Sequence, residues 1–414
     1  MMNSSFDRRG AAGVAVAATV GNMVGITPAI SATFGVFLVP IATDFGWPRA
    51  EVSGVFALIA IVSAIVYPFV GRAMDRWGAR RLLIGGNVLL AVSIALLALA
   101  TPDVLGFYLL FGLIGFAGSI PSTAMFCKVV SNWFDETRGL MLGVTAGLGN
   151  GIGATFMPIL AGVLLGIVGW RSSFAAIGGV VFLLGFPTLF LLLRDAPRAV
   201  GATDQTLEGM SLSEAARTRT FWLMLTAIAV GGGSMTAIFT HVVPMLTDHG
   251  VGIGEATMVI AIFALVTAGW QIVTGNMLDR MRTPKVVMPM FASAIAGLLL
   301  LEFGHGTPTL VLAGVLLGVG LGAEYGALPY FISRYFGLRC YGSITGALYA
   351  VVIFVQGMTP MLMDLGFGAT GNYAAATLVI VAALAAGVAL LALLPPLRPL
   401  APTDGEMPGG IVTA

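Results

Sequence analysis

The chain has 414 residues, of which 58% are hydrophobic and 9% are charged, with a formal net charge of +1. Soluble domains carry roughly a quarter of charged residues, so this composition excludes an ordinary water-soluble globular protein. The near-neutral charge gives no sign of a nucleic-acid partner.

Apolar stretches of about 20 residues recur along the whole chain, and each is long enough to cross a hydrocarbon core of roughly 30 Å. In the first half they fall at residues 12–41, 50–74, 82–101, 104–133, 139–167 and 171–194. In the second half they fall at 220–247, 254–279, 285–303, 308–335, 341–366 and 372–395. The first stretch is too long and too rich in glycine for a cleaved signal peptide. The sequence therefore predicts an all-α membrane protein with twelve transmembrane helices.

Polar segments divide the chain between and after these spans. Residues 195–219 are rich in Asp, Glu, Arg, Thr and Ser, and we interpret them as a cytoplasmic linker. The linker joins one six-helix bundle, residues 1–194, to a second one, residues 220–395. Residues 396–414, rich in Pro, Gly and small residues, are predicted to form a disordered cytoplasmic tail.

The Lys and Arg residues predict the orientation in the membrane, because cationic loops stay in the cytoplasm. Of the 20 Lys and Arg residues, all except Arg49 and Arg171 flank the span ends of one side. We therefore expect a multi-pass inner-membrane protein with both termini in the cytoplasm. Cys127 and Cys340 are interpreted as buried thiols, since their spacing fits neither a disulfide framework nor a metal site.

The chain repeats itself at an offset of 204 residues. The residues Pro40, Thr43, Asp44, Gly46 and Glu51 recur as Pro244, Thr247, Asp248, Gly250 and Glu255. One helix later, Gly71, Asp75, Arg76 and Arg81 recur as Gly275, Asp279, Arg280 and Lys285. A slip of about two residues then pairs Trp133 with Tyr335. Both copies begin and end on one side, so they predict two parallel, pseudo-symmetric six-helix bundles. Transporters with such repeats bind their cargo near mid-membrane between the halves.

The segment from Gly71 to Arg81 reads Gly-Arg-Ala-Met-Asp-Arg-Trp-Gly-Ala-Arg-Arg. A glycine leaving the second span allows a neighbouring helix to approach closely. Asp75 lies at a helix carboxyl end, where the dipole disfavours an anion, so it needs a compensating Arg or the amino end of another helix. A cluster of Arg residues that only keeps the loop on the cytoplasmic side would need neither the Asp nor the Gly.

This pattern resembles the signature of the major facilitator superfamily in the loop between spans 2 and 3. The resemblance covers essentially the whole chain and implies the major facilitator fold, with a motif that stabilises the outward-facing state. The conformational gate residues that it implies are Gly71, Asp75, Arg76, Arg80, Asp279 and Arg280. In the second copy, Arg282-Thr283-Pro284 interrupts the motif.

Further stretches narrow the resemblance. Phe34 to Ala50 and Arg334 to Gly342 look like the corresponding regions of bacterial monocarboxylate-porter-like carriers. Asn132-Trp133-Phe134 is similar to the oxalate–formate antiporter branch. The resemblance implies an organic anion as cargo, often a monocarboxylate that is moved with a proton or exchanged.

The residues for charge recognition depart from that pattern. The well-known carriers of this branch place an Arg in span 8 and often a Lys in span 1 or span 11. Alignment on Gly275 puts Gln271 at the span 8 position, and alignment on Tyr341 puts Leu348 at the span 11 position. Span 1 contains no cation. The absence of these cations argues against a dicarboxylate cargo.

Two ionisable residues inside predicted spans are candidates for proton coupling, because such groups cost several kcal/mol unless they have a partner. Glu324 lies near the middle of span 10 and suits a group that gains and loses a proton during transport. His241, in the outer half of span 7, suits proton relay. Each has a structural alternative, in which Glu324 holds helices together and His241 bonds a nearby carbonyl.

Polar residues at helical spacing within the spans are candidates for substrate contacts. These candidates are Gln271, Tyr349, Gln356, Asn150, Lys128 and Tyr330. Lys128 is a cation within an apolar span, and it either binds a carboxylate or snorkels to the cytoplasmic surface. Tyr330 is its equivalent in the repeat.

Together these features predict proton-coupled uptake of a small organic acid, aromatic acids included, by a monomeric carrier that alternates access across the bilayer. The alternatives are export of drugs or metabolites, exchange of anions, and a nutrient sensor that has kept the fold. We expect no cofactor. We also expect no enzymatic activity, because three His, two Cys and scattered charges form no metal or nucleophile cluster.

Overall fold

The computed structural model describes residues 4–196 and 209–397, without the side chains of residues 4–8, 49, 50 and 253. These residues form helices joined by short turns, and the β-structure among them is one isolated bridge between Gly209 and Gly337. The predicted all-α class is confirmed.

Sixteen α-helices follow one another along the described chain. Those of the first half are α1 Ser4–Met23, α2 Phe34–Phe45, α3 Arg49–Ser53, α4 Val55–Trp77, α5 Ala79–Leu96, α6 Val104–Gly118, α7 Thr123–Trp133, α8 Arg138–Gly143 and α9 Gly149–Leu192. Those of the second half are α10 Leu212–Ala216, α11 Arg219–Asp248, α12 Ile253–Met281, α13 Met288–Phe303, α14 Thr307–Phe336, α15 Tyr341–Thr370 and α16 Ala374–Ala392. Two turns of π-helix, Thr27–Ser31 and Val144–Leu148, interrupt the α-helical pattern.

Eleven continuous segments of the described chain are long and apolar enough to cross a membrane. One of them, Arg138–Leu192, has 55 residues and would extend about 80 Å if straight, more than twice the thickness of a hydrocarbon core. Gly169 breaks it near the middle with φ 73° and ψ 171°, a conformation that favours glycine. Because the break divides this segment into two stretches of spanning length, the eleven segments correspond to the twelve predicted spans.

The ends of several helices lie close together at one end of the molecule. The Trp133 indole donates to the Arg194 carbonyl at 3.0 Å, which joins the end of α7 to the chain after α9. The Tyr335 hydroxyl donates to the Pro395 carbonyl at 2.6 Å, which joins the end of α14 to the chain after α16. We call this the Arg-rich end, where Arg76, Arg80, Arg138, Arg194, Arg334 and Arg339 lie.

Three apolar cores show how the halves are joined. One core contains buried residues of the first half alone, around Phe111. A second contains residues of the second half alone, around Phe263. The third lies toward the Arg-rich end, where Met74 and Phe126 share it with Phe336. The halves therefore share a core at the Arg-rich end and keep separate cores away from it.

Asp75, at the end of α4, accepts hydrogen bonds from the start of α15 in the other half. The Gly342 N–H donates to Oδ1 at 3.0 Å, and the Ser343 N–H and hydroxyl donate to Oδ2 at 2.7 and 2.6 Å. The Lys128 ammonium pairs with Oδ1. A β carbon at Gly71 would overlap the Gly342 carbonyl, so the glycine allows the helices to approach. The amino end of α15 thus supplies the compensation that Asp75 lacks on its own helix.

Asp279, at the end of α12, makes the same kind of contact with the first half. The Gly139 N–H donates to Oδ1 at 2.9 Å, and the Leu140 N–H donates to Oδ2 at 2.8 Å. A β carbon at Gly275 would overlap the Gly139 carbonyl. The second copy of the motif therefore joins the halves as the first copy does, although Arg282 to Pro284 interrupt its sequence.

The predicted linker, residues 195–219, is described only at its two ends. The Met210 N–H donates to the Phe336 carbonyl at 2.8 Å, which joins the chain before α10 to the end of α14. Ser211 and Glu214 form a capping box at the start of α10, and these hydrogen bonds lower the pKa of Glu214. Residues 197–208 and nearly all of the predicted tail, 398–414, lie outside the described residues.

We expect Asp279→Asn to loosen the interface between the halves at the Arg-rich end. The substitution removes the charge that stabilises two N–H groups of α8, and such charge-assisted hydrogen bonds contribute roughly 1.5–3 kcal/mol each. Cys340 lies just before α15 in this interface, and burial together with the nearby Asp75 carboxylate raises the pKa of its thiol. Maleimide should alkylate Cys340 about tenfold faster in the Asp279→Asn variant than in the protein with Asp279, when both also carry Cys127→Ser.

Asp75→Asn should act in the same direction, but it also removes a charge beside the thiol. Asp279→Asn therefore separates opening of the interface from this electrostatic effect. Asp103→Asn is the matched control, because Asp103 caps α6 within one half through a 2.8 Å hydrogen bond from the Gly106 N–H. Equal alkylation rates for Asp279→Asn and Asp103→Asn would contradict the role given to Asp279.

Candidate functional site

A cavity of about 220 Å³ lies between the two halves and is lined by residues of both. A single water needs only about 10–15 Å³, so the cavity is large enough for a small organic molecule. Its polar lining from the first half consists of Asn22, Thr27, Tyr67, Ser122, Thr123 and Asn150. Its polar lining from the second half consists of Gln271, Glu324, Tyr325, Tyr349 and Gln356. Within the described chain, no Lys, Arg or His lines this cavity, and Glu324 is its one acidic residue.

The first half reaches the cavity with interrupted helices. Span 1 breaks between α1 and α2, where Gly25, Ile26 and Thr27 lead into the first π-helical turn and line the cavity. Span 4 breaks between α6 and α7, where residues 121–124 line it. Gly25 lies against the carbonyl of Pro121, so the two breaks face each other. Interrupted membrane helices present backbone polar groups to a ligand cavity.

The second π-helical turn lies at the contact between span 5 and α12. Asn22 donates to the Thr145 carbonyl of this turn at 3.2 Å. Asn150, one turn further, donates to the Thr123 hydroxyl at 3.1 Å and to the Ala146 carbonyl at 3.0 Å. These bonds use the amide N–H groups of both Asn residues, which leaves their carbonyl oxygens for a ligand. Such π-helical turns occur frequently at functional sites.

The second half reaches the cavity with the continuous helices α12, α14 and α15. Glu324, in the middle of α14, is 1% exposed, and its Oε2 has no hydrogen-bond partner among the described residues. A β carbon at Gly232 of α11 would overlap Glu324 Oε1 and lie 2.7 Å from Gln356 Nε2. The absence of a side chain at Gly232 therefore makes the space in which Glu324 and Gln356 meet.

Five of the residues predicted from the sequence line this one cavity. They are Asn150, Gln271, Glu324, Tyr349 and Gln356. The ring of Tyr349 stacks on that of Tyr67 across the boundary between the halves, with centroids 6.2 Å apart and planes 25° apart. The two aromatic rings form an apolar wall beside the polar groups.

Three other candidates lie elsewhere. Lys128 pairs with Asp75, and Tyr330 donates to the Leu278 carbonyl at 3.1 Å, so both belong to the contacts at the Arg-rich end. His241 lies outside the cavity, with Nε2 2.8 Å from Asp364 Oδ1 and Nδ1 2.8 Å from the Ala237 carbonyl.

The Arg residues of the motif differ in their contacts. Arg80 donates to the Phe190 carbonyl at 2.7 Å, and its N–H donates to Asp195, which fixes the start of α5 to the end of α9. Arg76 lies over the Trp77 ring, and Arg280 is exposed on α12.

Sequence reasoning missed several cavity residues of the first half, including Asn22, Tyr67 and Ser122. A signal for Ser122 was present in the repeat. The slip that pairs Trp133 with Tyr335 also pairs Ser122 with Glu324. The offset of 204 residues likewise pairs Tyr67 with the candidate Gln271. Asn22 had no such signal, because the same offset pairs it with Thr226, which is not a candidate.

Comparisons with known proteins agree with this architecture. The human Monocarboxylate transporter 11 is 27% identical over 371 residues, which cover 86% of this chain and 74% of the relative. The Oxalate:formate antiporter of Oxalobacter formigenes is 25% identical over 338 residues, 77% of each chain. The crystal structure of the E. coli fucose:proton symporter FucP superposes with a TM-score of 0.73 at 15% identity, covering 92% of this chain and 98% of that one.

The family assignment comes from a match of the sequence to a protein-family model. The model described as Major Facilitator Superfamily matches residues 18–360 and 241–410, which is most of the chain. The match confirms the fold and the class of protein expected from the motif around Asp75. This chain is a member of the Major Facilitator Superfamily of membrane transporters.

Proposed function

We propose that this transporter moves a small organic acid together with a proton across the inner membrane, in the direction of uptake. The observation that carries the proposal is the buried carboxyl of Glu324, whose Oε2 has no hydrogen-bond partner among the described residues, in a cavity that both halves line. The names of two relatives, a monocarboxylate transporter and an oxalate:formate antiporter, support an organic anion as cargo.

The charge of the cavity explains how cargo and proton are coupled. An ionised Glu324 would repel a carboxylate bound about 5 Å away by about 3 kcal/mol at an effective dielectric constant of about 20. That repulsion weakens binding more than a hundredfold. The acid therefore binds when Glu324 carries a proton, and the two move together.

The remaining polar groups suit recognition of a small acid. Gln271 and Gln356 provide amide N–H groups, Tyr349 provides a hydroxyl and a ring, and Asn150 provides a carbonyl oxygen. One apolar aromatic wall and a few polar groups are the usual composition of a small-molecule site.

The contacts at the Arg-rich end suit the gate of an alternating-access cycle. By the charge rule this end is cytoplasmic, so the bundles are closed toward the cytoplasm. Opening would remove the N–H donors from Asp75 and Asp279. Lys128 lies in the same half as Asp75, so it keeps the Asp75 charge neutralised while the gate is open. Tyr330, its repeat equivalent, packs beside Arg334 in the other half.

Glu324→Gln is expected to abolish accumulation of the acid but to spare counterflow, because glutamine mimics the protonated carboxyl and cannot release a proton. The measurement uses proteoliposomes with labelled lactate and mandelate, corrected for entry into protein-free vesicles. A pH gradient of one unit should drive about tenfold accumulation by the wild-type protein and none by the variant.

Glu302→Gln is the matched control for this experiment. Glu302 is also a buried carboxyl of the second half, but it accepts a hydrogen bond from Thr377 at 3.3 Å and lies outside the cavity. Accumulation that survives Glu324→Gln would overturn the role of Glu324. If His241→Gln abolishes accumulation instead, the His241–Asp364 pair carries the proton.

Gly232→Ala should reduce transport of the same acids about tenfold or more, because the added methyl group displaces the Glu324 and Gln356 side chains. Gly269→Ala is the control, since a β carbon there has no atom within 4 Å. The initial rate of transport should fall for Gly232→Ala but not for Gly269→Ala. Similar rates for both variants would show that the space around Gly232 is not needed.

A further inference from the structure

The amino end of α7 opens directly onto the cavity. Span 4 breaks at residues 119–122, and Ser122 precedes α7 in an extended conformation, with φ −91° and ψ 160°. Pro121, Ser122, Thr123 and Ala124 all line the cavity. The break therefore places the start of an 11-residue helix at the point where both halves meet.

The first N–H groups of α7 remain available to a ligand. The N–H groups of Met125 and Phe126 donate to the Ser122 carbonyl. Those of Thr123 and Ala124 have no acceptor among the described residues, as expected for the first turn of a helix. The Ser122 side chain does not cap them, and the first turn has no acidic residue. These donors and the helix dipole favour an anion at this position.

Two buried side chains independently indicate a ligand in this cavity. The Ser122 hydroxyl is buried beside the Tyr67 phenol but has no hydrogen bond of normal geometry among the described residues. Glu324 Oε2 lines the same cavity and is equally without a partner. Buried polar atoms of this kind are rare and require an explanation, such as a ligand that is bound during function.

We infer that the amino end of α7, with the Ser122 hydroxyl, is the subsite for the carboxylate of the transported acid. The inference rests on the proposed function and adds the means of recognition. It explains how an anion is bound in a cavity whose described lining contains no Lys, Arg or His. The same groups distinguish a carboxylate from the corresponding amide. A carboxylate accepts hydrogen bonds at two oxygens, whereas the amide has one oxygen and a donating NH2 group.

The repeat pairs this subsite with the proposed proton-carrying group, and both line the same cavity. Ser122 and Glu324 are equivalent positions of spans 4 and 10. Span 4 is interrupted there and offers backbone N–H groups, whereas α14 is continuous there and offers a carboxyl. A carboxylate at α7 then faces a protonated Glu324, which donates to it, or an ionised Glu324, which repels it. The subsite thus makes binding of the anion depend on the proton.

A pair of substitutions at Ser122 tests the charge of the subsite. Ser122→Asp and Ser122→Asn have the same shape, and both residues are good helix N-caps, so both variants should fold. Binding of mandelate, measured by displacement from the purified full-length protein in nanodiscs, should be weakened about a hundredfold more by Asp than by Asn. Mandelamide, which has no negative charge, should show no such difference. Equal mandelate affinities for the two variants overturn the inference.

A second pair at Thr123 tests the backbone donor itself. Thr123→Pro removes the first N–H of α7, and proline is compatible with that position and with the extended conformation of Ser122. Thr123→Ala keeps the N–H but loses the same hydroxyl contact with Asn150. Mandelate should bind about tenfold more weakly to the Pro variant than to the Ala variant. Equal affinities would show that the N–H does not bind the carboxylate.

The outcomes separate this inference from the proposed function. If the wild-type protein neither binds nor transports mandelate or lactate, both the proposed function and the subsite fail. If the wild-type protein accumulates these acids with protons and neither pair of variants differs, only the subsite fails. A difference in both pairs, absent with mandelamide, supports the subsite.

Discussion

The docking of the two halves depends on a carboxylate at the end of a membrane helix. Asp75 and Asp279 each lie where their own helix dipole opposes a negative charge, and each is stabilised by N–H groups at the start of a helix in the other half. Since a charge in this environment needs a partner, the two contacts hold the bundles together at the Arg-rich end. The shared apolar core lies at the same end of the molecule as these contacts.

The two halves share a scaffold but use it differently at the cavity. The first half interrupts spans 1 and 4 and presents backbone groups, hydroxyls and amides. The second half keeps α11 and α14 continuous and presents a carboxyl, amides and phenols. The difference is greatest at the equivalent positions Ser122 and Glu324. An internal repeat can thus produce a site with two unlike faces, because a helix break changes which atoms are available.

A cavity whose described lining contains no Lys, Arg or His constrains how an anion can be carried. In carriers with a fixed Arg or Lys, the cation neutralises the anion throughout the cycle. Here the neutralising elements would be a proton on Glu324 and the dipole of α7. Both act at short range in a low dielectric, so a small change in their geometry alters affinity strongly. Lys128 does not replace the missing cation in this conformation, because it is committed to Asp75.

The sequence by itself determined the spans, the repeat, and the residues Asp75 and Asp279. It also indicated Gln271, Tyr349 and Gln356 as candidate substrate contacts and Glu324 as a candidate for proton coupling. These features follow from local rules, since span length, helical spacing and the offset between copies are properties of the chain. Only the tertiary structure decided that Lys128 pairs with Asp75, that spans 1 and 4 break at the cavity, and that Ser122 lies there. In a helix that is apolar on every side, the face that turns inward is set by the neighbouring helices, which the chain's own periodicity does not specify.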